Sequence, residues 1–228
     1  MKIVIIGLGG VGSILCDNLS RYLNYSDINA SVSLVDGDYY EARNSERQTF
    51  IRLGDKASVK CTELTHKFNN VSFQDFNEFI NEDNVGSLII EKSIVFLCVD
   101  NHISRKIISD HCQTLNDITI ISGGNEYTDG NVQLYQRKGG VNVTASLTDY
   151  HPEIEFPEDQ SPEDMSCEEL SQSEPQLLFT NLSVATIMCW MFYAIHKEKD
   201  ITKYGEVYFD ITSMATLAKT RNSKKLNY

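Results

Sequence analysis

The 228-residue chain predicts an α/β fold: a doubly wound, mainly parallel sheet with antiparallel strands appended in the C-terminal half. Three observations lead there. An apolar β-branched run, a glycine turn and an amphipathic stretch follow one another at the start, short apolar runs then alternate with segments of helical spacing, and two alternating apolar and polar stretches come late. Short apolar runs separated by helical segments are strands buried on both faces, and they pair in parallel because each crossover helix returns the chain to the same end of the sheet.

The opening "MKIVIIGLGG" has a short apolar run, no small-residue cleavage site and a direct passage into glycines. It reads as a first strand and not as a signal peptide. In "KIVIIGLGGVGSILCDNLSRYL" that strand passes through its turn into an amphipathic helix, and "ASVSLVD" is the next strand. Farther on, "SIVFLCVD" and "ITIISGG" are buried strands separated by "NHISRKIISDHCQTL", which has helical spacing. "VQLYQ" and "VNVTASL" alternate and predict antiparallel strands. No internal repeat is visible.

Composition changes after Tyr150. Residues 151–175 hold all four prolines and nine acids with no lysine or arginine, which predicts an extended, solvated crossing loop. The apolar "LLFTNLSVATIMCWMFYAI" that follows is long enough for a membrane span, but Thr180, Asn181, Ser183 and Thr186 interrupt it and favour a buried core or dimer helix with no membrane role. "GEVYFDI" is read as the final strand and "KTRNSKKLNY" as a solvated basic tail. The expected organisation is one domain over 1–228: a nucleotide-binding core over 1–136, the acidic crossing loop over 151–175, and a C-terminal helix and strand over 176–228.

With 41% hydrophobic and 23% charged residues the chain is neither disordered nor fibrous. A formal charge of −12 argues against a nucleic-acid partner bound by phosphate neutralisation. Cysteines 16, 61, 98, 112, 167 and 189 form no C-x-x-C pair, so neither a disulfide framework nor a zinc site is expected, and a reducing cytoplasm is the expected location.

"GLGGVG" (Gly7, Gly9, Gly10, Gly12) fits G-x-G-x-x-G in its required setting, after a strand and before a helix. Glycines there let backbone approach a phosphate at a helix N-terminus, whose aligned N–H groups favour negative charge. Asp36 ends the second strand, where a carboxylate accepts hydrogen bonds from ribose hydroxyls. "LVDGDYYEARNSERQ" then adds Asp38, Asn44, Arg47 and Gln48, with Gly54 and Lys56 beyond. A planar guanidinium and a flexible ammonium suit a polyphosphate better than a nicotinamide. The other reading of Arg47 and Lys56 is a pair of surface cations.

Taken in order, "GLGGVG", "DGD" (Asp36, Asp38), "NSERQ" (Asn44, Arg47, Gln48), "GDKA" (Gly54, Lys56) and "DNHISR" (Asp100, Asn101, Arg105) resemble the ThiF/MoeB group, related to ubiquitin-activating enzymes. The likeness covers roughly residues 1–136 and extends to "SGGNEYTDGNVQLY". It implies a Rossmann-like enzyme that uses ATP and Mg²⁺ to adenylate the C-terminal carboxylate of a ubiquitin-like or sulfur-carrier protein. Arg47 and Lys56 would hold phosphates, Asp100 would hold Mg²⁺, Asn44 and Gln48 would orient phosphate or ribose, and the chain would be a homodimer. The bland role for Asp100 is a helix N-cap at "VDNHIS".

Several residues stay open at this stage. The loop before the lysine is short for the family, so Lys60 is an alternative to Lys56. Arg105 is read as a helix-surface ion-pair partner, and lone His151 as structural. Cys167, in the acidic loop, is where the resemblance places a thioester-forming cysteine, although Glu163, Asp164, Glu168 and Glu169 disfavour its thiolate; the other cysteines belong to the core. No helix precedes the first strand, unlike relatives in which such a helix brings an arginine to the partner's site. Two rivals remain, an NAD(P) oxidoreductase using Tyr193 and Lys197 of "YAIHK" and a non-catalytic module that recognises a carrier tail, and a third variant keeps adenylation but acts on a peptide or tRNA-linked carboxylate.

Overall fold

A computed structural model describes residues 1–160, 176–200 and 204–221. In chain order these form β1 (Lys2–Ile6), α1 (Gly10–Asn24), β2 (Ala30–Val35), β3 (Tyr39–Tyr40), a 3₁₀ turn (Ala42–Glu46), β4 (Gly54–Asp55), α2 (Lys56–Lys67) and β5 (Val71–Phe76). There follow α3 (Val85–Leu88), β6 (Ser93–Leu97), α4 (His102–Thr114), β7 (Ile118–Asn125), β8 (Asp129–Lys138), β9 (Val141–Asn142), α5 (Pro152–Glu155), α6 (Leu178–His196), β10 (Glu206–Asp210) and β11 (Ala215–Lys219).

The main sheet runs β11-β10-β8-β7-β6-β1-β2-β5, with β9 beside β8. From β5 to β7 neighbouring strands are parallel, and from β7 to β11 they are antiparallel. The expected α/β class and its appended antiparallel strands are therefore both present. β1 has β2 on one side and β6 on the other, so the direction of winding reverses there. Such a reversal opens a crevice at the carboxyl ends of the two central strands, where nucleotides bind in folds of this kind.

Period-2 alternation sends Ile3 and Ile5 to one face and Val4 and Ile6 to the other. Neither face is solvated, because α1 and α6 cover the first and α3 and α4 the second. This is why β1 reads as an unbroken apolar run. Burying one such side chain contributes about 1.5–3 kcal/mol, so the two layers together fix the frame of the crevice.

The C-terminal half departs from expectation in two places. Of "VNVTASL", only Val141–Asn142 pairs with β8. Beyond it, Val143 N still donates to Gln136 O at 2.8 Å, but Gln136 N donates to Thr144 Oγ1, which donates in turn to Leu134 O, both at 2.8 Å, so a side chain takes over part of the ladder. Nor is β10 the final strand. Asp210 Oδ1 accepts the N–H groups of Thr212 and Ser213 at 2.8 and 3.2 Å, and the chain returns as β11. β11 is exposed along its whole length, so no apolar alternation marks it in the sequence.

Helix α6 lies against α1, β7 and β8. Thr180 and Asn181, whose polarity argued against a span, are fully buried on its inner side, and Thr180 Oγ1 donates to Tyr127 O at 2.7 Å.

Candidate nucleotide site

The four loop glycines have different duties. Gly7 turns the chain at φ +86°, and a Cβ there would stand 2.8 Å from the Cys98 carbonyl. A Cβ on Gly12 would meet Gly7 O at 1.9 Å, so this glycine permits α1 to pack on β1. Gly9 faces open space, with Gln48 Nε2 its nearest neighbour at 3.9 Å, which leaves room for a ligand to approach. At Gly10 the space is filled from within the chain, because a Cβ would lie 2.1 Å from Asn181 Nδ2.

The loop is held from outside. Leu8 N donates to Asp36 Oδ2 at 2.5 Å, and Tyr40 OH donates to Leu8 O at 2.9 Å. Tyr40, fully buried, is stacked on Phe50 at 4.7 Å; this anchor was not anticipated, since an aromatic in a strand carries no signal of a hydrogen-bonding duty. Asp36 Oδ1 also accepts Asp38 N at 2.9 Å. Burial lifts the Asp36 carboxyl above the usual range, against the opposing pull of Lys56 and of the Leu8 and Asp38 N–H groups. Each of its oxygens keeps a second lone pair for a hydroxyl donor. No side chain caps α1, so its first-turn N–H groups face the crevice.

The two candidate lysines separate clearly. Lys56 opens α2, its backbone N–H fixed to Asp38 O at 2.9 Å, and its Nζ donates to Asp38 Oδ2 at 2.5 Å. Burial alone would lower its pKa, but Asp36, Asp38 and Asp100 together raise it, so the ammonium is charged amid the three acids of the motif. Lys60, one turn on, is fully buried and donates to Thr49 O at 2.6 Å and Glu63 Oε2 at 2.9 Å, with Asp17 at 3.7 Å. It belongs to the packing of α1 on α2.

Asp100 stands exposed just past β6 and takes no part in capping α4. That duty falls to Asn101, whose Oδ1 accepts Ser104 N at 2.8 Å, and to Asp159, which accepts the N–H groups of His102 and Ile103. Arg105 overturns its reading as a surface ion-pair partner. It is buried, and its guanidinium donates to Val99 O at 2.6 Å, Ser122 Oγ at 2.7 Å and Gly123 O at 2.7 Å. Burial pulls its pKa below the ordinary arginine value while Asp100 opposes. It ties the ends of β6 and β7 together and so fixes the segment that carries Asp100.

The N-x-x-R-Q element forms the 3₁₀ turn. Asn44 Oδ1 accepts Glu41 N at 2.8 Å while the Glu41 side chain accepts Asn44 N, so Asn44 shapes the turn. Arg47 is half-buried at the end of the turn, and Gln48 is 7% exposed against Gly9 with its Oε1 unpartnered. Cys167 lies outside the described residues. The five other cysteines are free thiols, and burial pushes Cys16 and Cys112 up to about 12 and Cys189 to about 11, as inert core residues require. His151 is structural, bridging Glu153 and Glu206. Tyr193 packs edge-on against Tyr22 near the end of α6 remote from Gly10, so the structure does not bring the reductase pair to the glycine loop.

The ThiF family model matches residues 1–224. The chain belongs to the ThiF family. Its similarity to a probable molybdopterin-synthase adenylyltransferase of Porphyra purpurea is 30% identity over 158 residues, 68% of this chain and 39% of that protein. With ubiquitin-like modifier-activating enzyme 5 of Caenorhabditis elegans it shares 25% identity over 139 residues, 54% of this chain and 32% of the other. These matches thus take in less than half of each curated relative. Among solved structures, E. coli MccB with ATP superposes with a TM-score of 0.76 at 16% identity, covering 99% of this chain and 65% of that one. At that identity the likeness shows a shared ThiF-type, Rossmann-like fold.

Proposed function

We propose that this ThiF family chain is an ATP-dependent adenylyltransferase acting on the C-terminal carboxylate of a small ubiquitin-like or sulfur-carrier protein, in a reducing cytoplasm. The observation that carries the reading is the placement of Lys56. One ammonium sits among Asp36, Asp38 and Asp100, at the rim of an uncapped helix N-terminus, with Asp100 left out of helix capping.

A carboxylate is a poor electrophile because its leaving group would be oxide. In the proposed step a carboxylate oxygen attacks the α-phosphorus of ATP, a new O–P bond forms, and the bond to the bridging oxygen breaks. Pyrophosphate leaves with the electron pair, and no proton need move. Catalysis then rests on position and charge. Asp36 receives the ribose, the N–H groups of α1 face the phosphates, and Gln48 flanks them beside Gly9. Lys56 exchanges Asp38 for the β and γ phosphate oxygens, joined there by Arg47, while Asn44 shapes the turn that presents Arg47. Mg²⁺, a hard cation that takes carboxylate and phosphate oxygens, would neutralise charge on the polyphosphate, and the exposed carboxylate of Asp100 is the group that would hold it.

Homodimerisation belongs to the same reading. Phe179, Leu182, Trp190 and Tyr193 are exposed along α6. The hydroxyls of Ser183 and Thr186 between them are turned back onto carbonyls of their own helix at 2.9 and 2.7 Å. A face so depleted of free polar groups suits a second copy.

The test is ATP–pyrophosphate exchange with small ubiquitin-like proteins as acyl substrates. Lys56→Ala and Asp100→Ala are each expected to lower exchange about 100-fold or more, the scale of losing one charge-stabilising group. Exchange persisting in both variants removes the assignment of phosphate and metal ligands. Onward transfer to Cys167 is read from a hydroxylamine-sensitive adduct that Cys167→Ala abolishes.

A further inference from the structure

Gly10 and Asn181 are the first residue of α1 and the fourth of α6, 171 positions apart in sequence, and the fold presses them together. A Cβ on Gly10 would lie 2.1 Å from Asn181 Nδ2, 2.7 Å from its Cγ and 2.8 Å from Gln176 Oε1. The bareness of Gly10 therefore serves this carboxamide, whereas that of Gly9 leaves the approach to the loop open. The carboxamide is fully buried, yet its Oδ1 has no hydrogen-bond partner among the described residues. Among the described residues its Nδ2 has one long contact, 3.4 Å to Gln176 Oε1. An unpaired buried polar group is costly, and a leucine of similar volume would fill the space without that cost. Packing does not account for an asparagine here.

Charge points to its use. Helices of 15 and 19 residues bring their positive ends to this spot, and neither has an acid in its first turn or a side-chain cap. Across the loop, buried Gln48 presents a second carboxamide with an unpartnered Oε1. Two uncapped helix ends and two under-used carboxamides thus surround one glycine loop. Rotation of the carboxamide about Cβ–Cγ in Asn181, or Cγ–Cδ in Gln48, exchanges oxygen for N–H, so each group can supply a donor when an anion arrives.

We propose that Asn181 is a phosphate-binding residue, forming with the first turns of α1 and α6 a two-helix seat for the phosphate next to the ribose. The inference rests on the adenylation reading and adds to it a ligand from the far end of the chain. On this assignment the helix that follows the crossing segment contributes directly to the nucleotide site.

The full chain is titrated with ATP and with adenosine by calorimetry, as wild type, Asn181→Asp and Asn181→Leu. Aspartate keeps the shape of asparagine but sets a negative charge against the phosphate. Asn181→Asp is expected to weaken ATP by about tenfold or more while adenosine shifts less than about twofold, with Asn181→Leu in between. Ligand-free melting separates binding from stability, because leucine removes the unpaired buried carboxamide and should hold or raise Tm even as ATP weakens, whereas the buried aspartate should lower it. An ATP-to-adenosine affinity ratio unchanged from wild type, whether both ligands bind as before or both weaken alike, overturns the assignment. So does an Asn181→Asp chain that binds ATP normally and shows only a raised KM for the acyl substrate, since the anion would then be the carboxylate. Failure of the wild type to bind ATP would sink the adenylation reading itself.

Discussion

Two lysines one helical turn apart show how burial sorts side chains of the same type. Lys60 is the more deeply buried, yet the acids around it belong to the α1–α2 contact, where Glu63 also binds Lys67 at 2.5 Å. Removing Lys60 would leave the carboxylate of Glu63 buried with half its partners gone. Lys60→Ala is therefore expected to cost about 3–5 kcal/mol in urea denaturation, whereas Lys56→Ala, which leaves a half-exposed Asp38 and an Asp36 still held by the Leu8 and Asp38 N–H groups, should cost less, about 1–2 kcal/mol, while exchange is lost. Comparable stability losses in the two variants would contradict the division. Arg105 makes the same point from the other side: a buried motif residue whose three short hydrogen bonds within the chain position Asp100.

At the scale of elements, the join between α5 and the antiparallel strands is built on charge. His151 Nδ1 faces Glu153 Oε1 at 2.7 Å and Nε2 faces Glu206 Oε1 at 2.9 Å, and Glu206 also takes Asn131 Nδ2 at 2.6 Å and Arg221 Nε at 2.8 Å. A neutral imidazole has a single N–H, so both contacts require the imidazolium. Burial alone would lower the His151 pKa, but Glu206 and Glu153 raise it, while hydrogen bonds from His151, Asn131 and Arg221 outweigh the effect of burial on Glu206 and bring it down to about 2. A histidine whose folded pKa exceeds its unfolded value stabilises fully below about pH 6.5 and loses that contribution as pH rises through the folded value. Stability measured by urea unfolding should thus fall from pH 6 to above neutrality in the wild type, and the fall should flatten in His151→Gln. An identical pH dependence in the two proteins would exclude the imidazolium bridge.

For the molecule as a whole, the sheet order places Asp36, the glycine loop and Asp100 at neighbouring carboxyl ends, β2, β1 and β6, although they span positions 7 to 100 in the chain. Among the described residues, Phe179, Leu182, Trp190 and Tyr193 on the outer side of α6 are left exposed. Sedimentation at micromolar concentration is expected to give a dimer for the wild type, and Trp190→Lys, with Trp190 at 60% exposure, should shift it toward monomer without loss of helical content. A wild-type monomer would sink the homodimer.

By itself the sequence determined the elements whose chemistry is local: the strand, glycine turn and helix of the first 24 residues, the apolar β6, and the order of Asp36, Arg47, a following lysine and Asp100. In each, residue type and spacing along a few turns of chain carry the signal. The tertiary structure alone decided that Lys56 and not Lys60 lies among the acids, that Asn101 and Asp159 leave Asp100 uncapped, that Arg105 is a buried clamp, and that Asn181 meets Gly10. These depend on which surfaces the sheet order brings face to face, and contacts between distant positions leave no period in the sequence from which to read them.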